Sequence, residues 1–263
     1  MTNQTGKLVG KVVAITGATR GIGRGIAEAF LAEGAKVAIS GRSEAKGKQA
    51  LEEMKAGDNA IFIAGDVTRQ KDVEDFIDQT VARFGRLDIL VNNAGGSSGF
   101  APVVDLSDEA WNQALNWMLN ATFWGTRRAL RYMIPNKWGR IINISSVEGR
   151  QANLANVSHY ITNKHAINGF TKAVAFENGT LGITSNAILA GPVETDLMLE
   201  VGPKVAESSG ITYEQYKIDY AKNAAIKRLN TVGEMAAMAL LLASEEGGGI
   251  TGALLDVNGG TSI

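Results

Sequence analysis

The chain has 263 residues, 45% hydrophobic and 20% charged, with a net charge of −1; this suffices for one large α/β domain with a deep core and carries no electrostatic footprint for nucleic acid or an anionic membrane. The absence of cysteine excludes disulfides, thiolate catalysis and Cys-ligated metals, and two histidines, His159 and His165, cannot build a His-rich cluster, so no metal site is expected. Residues 1–10 lack the apolar core of a signal peptide and the most apolar stretch, 235–243, is far shorter than a membrane span, so a cytoplasmic location without a membrane partner is expected.

A first strand over 11–16 runs into Thr16-Gly17-Ala18-Thr19-Arg20-Gly21-Ile22-Gly23, which opens a helix over 21–33. Glycines let the backbone turn sharply and let phosphate oxygens approach with no Cβ in the way, and a helix N-terminus supplies free N–H groups for a pyrophosphate. A strand over 36–40 then ends in Ser40-Gly41-Arg42-Ser43, and a helix over 44–55 follows. The strand over 60–64 leads to Asp66-Val67 and a helix over 70–84; the strand over 87–92 leads to Asn92-Asn93-Ala94-Gly95 and one long helix over 108–134. A strand over 140–145 precedes Ser146, and a helix over 158–178 carries Tyr160 and Lys164, four apart and so on one face. The remaining elements are strands over 184–189 and 253–257, with a helix over 233–243 between them.

These strands are rich in Val and Ile and nearly continuous in apolar character, as strands are when both faces of a parallel sheet are covered. Right-handed crossovers in a β-α-β-α order place helices on both faces. A single domain over 1–263 follows: a doubly wound, seven-stranded parallel sheet. Asp88 departs from the buried pattern, and its place at a strand start predicts that it is solvated.

The glycine turn has the spacing G-x-x-x-G-x-G. With Asp66-Val67, Asn92-Asn93-Ala94-Gly95, Ser146, Tyr160-x-x-x-Lys164, Gly191-Pro192-Val193-x-Thr195 and Gly259-Gly260 in one order, the chain resembles the short-chain dehydrogenase/reductase family over about residues 8–263. The resemblance implies a Rossmann fold and an NAD(P)(H)-dependent oxidoreductase that interconverts a carbonyl and a secondary alcohol on a small or medium organic molecule. It implies a cofactor site of Gly17, Thr19, Arg20, Gly21, Ile22, Gly23, Arg42, Asp66, Val67, Asn93, Ala94, Gly95, Tyr160, Lys164, Val193 and Thr195. Asp66 would accept from the adenine amino group or simply cap the next helix. Val193 and Thr195 would hold the nicotinamide carboxamide.

An acidic residue after the second strand selects NAD by binding the ribose 2′-OH and repelling a 2′-phosphate. The alignment puts Gly41 there, with Arg42 following and Arg20 in the glycine turn. Either the two guanidiniums bind the phosphate of NADP(H) or they are solvated surface charges; NADP(H) is favoured, with NAD(H) the alternative.

The expected catalytic residues are Ser146, Tyr160 and Lys164. A free tyrosine has a pKa of about 10, and a nearby ammonium together with the positive nicotinamide favours the phenolate, lowering that value; Lys164 is suited to supply the ammonium. The resemblance also gives Lys164 bonds to the nicotinamide ribose. Ser146 would hydrogen-bond the substrate oxygen, and Tyr160 would exchange its proton; the same alignment makes Ser145 a strand-end residue. One position departs from the family: the asparagine seven residues past a helix tryptophan is here Met118, counted from Trp111. Asn116 and Asn120 flank it, but two helical residues turn about 200°, so neither takes its direction without a register change.

Between 196 and 229 an amphipathic insertion with Met198, Tyr213, Tyr216 and Tyr220 reads as a helical lid over the active site or as a helix pair packed on the core. Glu148, Arg150, His159 and Trp117 are candidates to face substrate. The family commonly forms tetramers through its two long helices, and Leu115, Leu119, Phe123, Ala166, Phe170 and Val174 exceed what one sheet face needs, so a homotetramer is expected. The competing reading is a catalytically inactive dinucleotide-binding sensor or scaffold; a hydrolase is excluded because no G-x-S-x-G elbow occurs.

Overall fold

The computed structural model describes residues 6–261, so residues 1–5 of the polar leading segment and residues 262–263 lie outside it. In chain order the elements are β1 (Val12–Ile15), α1 (Gly21–Ala32), β2 (Lys36–Gly41), α2 (Glu44–Met54), β3 (Ala60–Ala64), α3 (Gln70–Phe84), β4 (Ile89–Asn92), α4 (Asp108–Leu115), α5 (Ala121–Asn136), β5 (Gly139–Ser146), α6 (Ser158–Asn178), β6 (Ile183–Ala190), β7 (Val193–Glu194), α7 (Asp196–Ser208), α8 (Tyr213–Tyr220), β8 (Asn230–Thr231), α9 (Val232–Ala243) and β9 (Leu254–Val257). Seven strands form one parallel sheet in the order β3-β2-β1-β4-β5-β6-β9; β7 and β8 make a separate short parallel pair.

The expected doubly wound, seven-stranded Rossmann-type sheet is the one observed. Side chains alternate across it. Val13 and Ile15 of β1 join Ile26, Phe30 and Met235 in the core under α1 and α9. Ala14 points the other way, joining Phe76, Ile77, Ala129 and Met133 under α3 and α5. Burial on both faces is why the strand sequences lack polar alternation. Asp88 is the correction: it is fully buried rather than solvated, accepting from Val12 N–H at 2.8 Å and from Arg86 at 2.6 Å. It thereby joins the start of β1 to β4.

The long helix expected over 108–134 is interrupted. A π-turn over Asn116–Asn120 separates α4 from α5, inserting a register change into the ladder. Asn120 Nδ2 donates to Asn116 Oδ1 at 2.7 Å along it. The order in which strands are added reverses between β1 and β4, and ligands of such sheets bind outside the carboxyl ends of the strands at that switch point. The glycine turn, the loop after Asn92, Ser146 and Ala190 all lie at those ends.

Candidate active site

The glycine turn is built for close approach. Gly17 and Gly21 have φ of +64° and +61°, a left-handed conformation that side chains disfavour. A Cβ on Gly17 would stand 3.0 Å from Ala94, and one on Gly23 would stand 2.4 Å from Asn93 Nδ2. The turn is tied to β4 at the same place: Thr16 Oγ1 accepts from the N–H groups of Asn93 and Ala94 at 3.1 and 3.0 Å, and Asn93 Nδ2 donates to the carbonyls of Thr16 and Gly17 at 2.9 and 3.0 Å. Gly21 N–H, at the start of α1, donates to Asp196 Oδ2 at 3.0 Å.

A long cleft runs from this turn in both directions. Its outer half is lined by Gly17, Thr19, Arg20, Arg42, Asp66, Val67 and Ala94, by Trp117, and by three residues that the sequence did not single out, Ser43, Lys46 and Gln113. Its inner half takes in Ile22, Ser146, Tyr160, Lys164, Val193 and Thr195, and Asn93 and Gly95 line both. Gly21 and Gly23 shape the turn beneath the cleft and are not among its lining residues. The glycine cradle, the α1 N-terminus and the cleft on either side of it fit an extended dinucleotide.

In the outer half, Gly41 ends β2 and no acidic side chain stands there. The nearby cations are Arg20, Arg42 and Lys46, against the single carboxylate of Asp66. Ser43 caps α2 by accepting from Lys46 N–H at 3.3 Å, which sets Lys46 one helical turn after Arg42; that i, i+4 spacing was the available sequence signal. Arg42 lies 5.6 Å from the Trp117 ring centroid, and Arg20 is 3.7 Å from Glu200 of α7. Asp66 Oδ1 accepts from Thr68 N–H and Oγ1 at 3.0 and 2.8 Å, so it closes a local turn and does not cap α3.

In the inner half, β5 ends at Ser146 and α6 brings Tyr160 and Lys164 over it. Ser146 Oγ accepts from Glu148 N–H at 3.2 Å, and Ser146 and Tyr160 both line the inner cleft. The Ser145 hydroxyl donates to the Lys164 carbonyl at 3.5 Å. Lys164 is almost wholly buried; its ammonium donates to Ile144 O at 2.8 Å and sits 5.5 Å from the Tyr160 ring centroid. Burial pushes Lys164 down to about 8. In the protein alone, burial above all, then the nearby Tyr220 and Glu148, lift the Tyr160 phenol above its ordinary value, and Ser146 offsets only part of this. Burial is the physical reason, and Lys164, its ammonium directed to the Ile144 carbonyl of β5, is not among the groups that lower the phenol. Met118 is fully buried at the back of the site; a Cβ on Gly95 would meet Met118 Cγ at 3.5 Å and Lys164 Nζ at 3.8 Å. The π-turn thus changes register here without bringing either flanking asparagine to that position.

Of the residues proposed to face substrate, only Glu148 lines the inner cleft. His159 is fully buried and bonds Ser98 O at 3.1 Å; Arg150 donates to Asp256 at 2.5 Å and to Leu254 O at 2.6 Å; Trp117 belongs to the outer half. Phe100, Asn153, Leu154, Val157 and Asn223 complete the inner wall, from irregular segments with no sequence signature. Within 196–229, α7 and α8 pack on each other, Tyr213 entering beside Gly202, while Asp219, Tyr220, Lys222 and Asn223 reach the cleft.

A parallel sheet with a dinucleotide cleft at its switch point, and a serine, a tyrosine and a buried lysine on the cleft floor, define a nucleotide-dependent oxidoreductase. The short chain dehydrogenase family model matches residues 11–206. D-beta-hydroxybutyrate dehydrogenase of Cupriavidus necator is 36% identical over 255 residues, covering 96% of this chain and 98% of that protein. 3beta-hydroxysteroid dehydrogenase 2 of Eggerthella lenta is 35% identical over 259 residues, covering 97% of this chain and 96% of that protein. Among solved structures, the actinorhodin polyketide ketoreductase with NADPH superposes with a TM-score of 0.88 at 33% identity, covering 95% of this chain and 97% of that one. The chain belongs to the short-chain dehydrogenase/reductase family. It is an NAD(P)(H)-dependent oxidoreductase interconverting carbonyl and secondary alcohol groups. Among the described residues no helix is long and apolar enough to cross a membrane.

Proposed function

We propose that Tyr160 is the proton donor and acceptor of this reaction, with Ser146 and Lys164 as its partners and NADP(H) as the preferred cofactor. The observation that carries the reading is the meeting of Ser146 and Tyr160 over a buried Lys164 on the floor of the inner cleft. The bound cofactor supplies or accepts the hydride at carbon. Ser146 donates to the substrate oxygen and holds it against the phenol. Tyr160, resting as the neutral phenol, protonates the nascent alkoxide in reduction; in oxidation its phenolate takes the hydroxyl proton. Lys164 spends one of its three donors on Ile144 O and keeps two for the nicotinamide ribose. Ile22, Val193 and Thr195 line the nicotinamide end, and the glycine turn takes the pyrophosphate.

The NADP(H) preference rests on Gly41 with Arg42, Arg20 and Lys46 around it. Residues 196–229 act as a lid, since Asp219 to Asn223 overhang the inner cleft. The chain forms a homotetramer through α5 and α6, where Phe123 and Phe170 meet edge to face and Phe176 stands 93% exposed; Val174, by contrast, packs into the core. A cytoplasmic setting suits a cysteine-free chain with a small-molecule substrate. A panel of ketones and secondary alcohols, assayed with NADPH and NADH at the nicotinamide absorbance, tests the reading. Turnover of carbonyls with a preference for NADPH supports it, and turnover only with NADH removes the cofactor assignment.

A further inference from the structure

Glu148 is a charge the reaction does not use. It is only 4% exposed and lines the inner cleft two residues after Ser146. Its Oε2 accepts a single bond, from Asn153 N–H at 3.2 Å. Among the described residues, no lysine, arginine or histidine is ion-paired with it. The charged groups facing it from the surrounding elements are Lys164 on α6, committed to Ile144 O, and Asp219 and Lys222 at the end of the 213–222 segment. Asp219 has the same sign and Lys222 is exposed at the mouth. The carboxylate also helps to hold the proton on Tyr160, so it lies within electrostatic reach of the reacting oxygen.

A carboxylate removed from water without a counter-charge is costly, and the cost is recovered when a cation with hydrogen-bond donors enters beside it. A neutral hydroxyl would supply the donor but not the charge. We infer that Glu148 binds a protonated amine carried on the carbon next to the reacting centre, so that the preferred substrates are vicinal amino alcohols and the matching amino ketones. The apolar wall of Phe100, Leu154 and Val157 takes the rest of such a molecule. This deepens the proposed reaction and rests on it. In oxidation the carbinol hydride leaves to the nicotinamide and the hydroxyl proton to the Tyr160 phenolate, giving the ketone and the phenol; the ammonium group takes no part in bond making.

Three alcohols that differ only at the neighbouring carbon provide the test: 2-amino-1-phenylethanol, 1-phenyl-1,2-ethanediol and 1-phenyl-1-propanol, with NADP+ and the intact protein. The expected result is a kcat/KM for the amine at least about tenfold above that of the propanol, as a charged hydrogen bond warrants. Glu148→Gln, which retains an oxygen for Asn153 N–H, should collapse that ratio, mainly through KM. Binding to the NADPH complex, read by cofactor fluorescence, reports the same ratio independently of turnover. An amine no better bound than the propanol, a diol preferred over the amine, or an unchanged ratio in Glu148→Gln overturns the inference. Loss of all carbonyl and alcohol turnover, with the amine still preferentially bound, would instead strike the proposed reaction.

Discussion

Replacing Arg42 by alanine isolates the contact that distinguishes NADP from NAD. Arg42 and Lys46 both line the outer cleft and both are exposed. A hydrogen bond to a charged group is worth about 1.5–3 kcal/mol, and solvent at this rim favours the lower end, roughly tenfold in affinity. Arg42→Ala should therefore lower kcat/KM for NADPH by about tenfold while changing NADH by less than about twofold. Arg20 shares its charge with Glu200 at 3.7 Å and should contribute less. Gly41→Asp should reverse the preference, because the new carboxylate repels the phosphate and accepts from a 2′-OH. Its Cβ would stand 3.0 Å from Thr19 Cγ2 and 3.6 Å from the Phe62 ring, both side chains, so a small shift of Thr19 admits it. Initial rates on one ketone with both cofactors, at low and high salt, provide the assay, and screening should erode the NADPH preference as salt rises. If Arg42→Ala weakens both cofactors alike, Arg42 is serving Trp117, 5.6 Å away, or the adenine, and the phosphate argument fails.

Lys164 is held near 8 against an ordinary 10.5 by burial, a penalty of about 3 kcal/mol on the charged form. The unfolded chain holds that proton between the two values, so the penalty is full below pH 8 and relieved as pH rises toward 10.5; thermal melts of the cofactor-free protein should show Lys164→Met stabilising at pH 7 and progressively less above pH 8, and a pH-independent difference would contradict this. Because the Tyr160 phenol is raised, reduction should stay level through neutral pH while kcat/KM for oxidation climbs about tenfold per pH unit; an oxidation profile flat from about pH 6 to 9 would exclude Tyr160 as the titrating base. Light scattering at micromolar concentration should give the mass of four chains, and a monomer mass would remove the role assigned to the exposed faces of α5 and α6.

The sheet was legible because both faces of its strands are buried, which leaves continuous Val/Ile runs. The ends were less so: Thr16 was read as strand, yet its hydroxyl serves Asn93 and Ala94. The π-turn was hidden because Asn116 and Asn120 form an i, i+4 pair that suits an uninterrupted helix equally well. In the site, chain-order motifs were enough to bring Ser146, Tyr160 and Lys164 together. Long-range contacts were not readable. The carbonyl that accepts from Lys164 belongs to β5, the ring beside Arg42 belongs to the π-turn, and the buried Asp88 finds its donors in Val12 and Arg86. Glu148 was one of four candidates to face substrate, and nothing in the sequence separated it from Arg150, His159 and Trp117, because its place on the inner cleft depends on how the chain folds after Ser146.

The most direct test of the central claim is Tyr160→Phe, assayed beside a titration of cofactor binding. The ring still fills its place against Met118 and Ile167, so NADPH should bind with near-normal affinity. Without the phenolic proton, kcat in ketone reduction should fall by at least about a hundredfold. Turnover close to that of the unaltered protein, with the cofactor bound, would show that the proton comes from elsewhere.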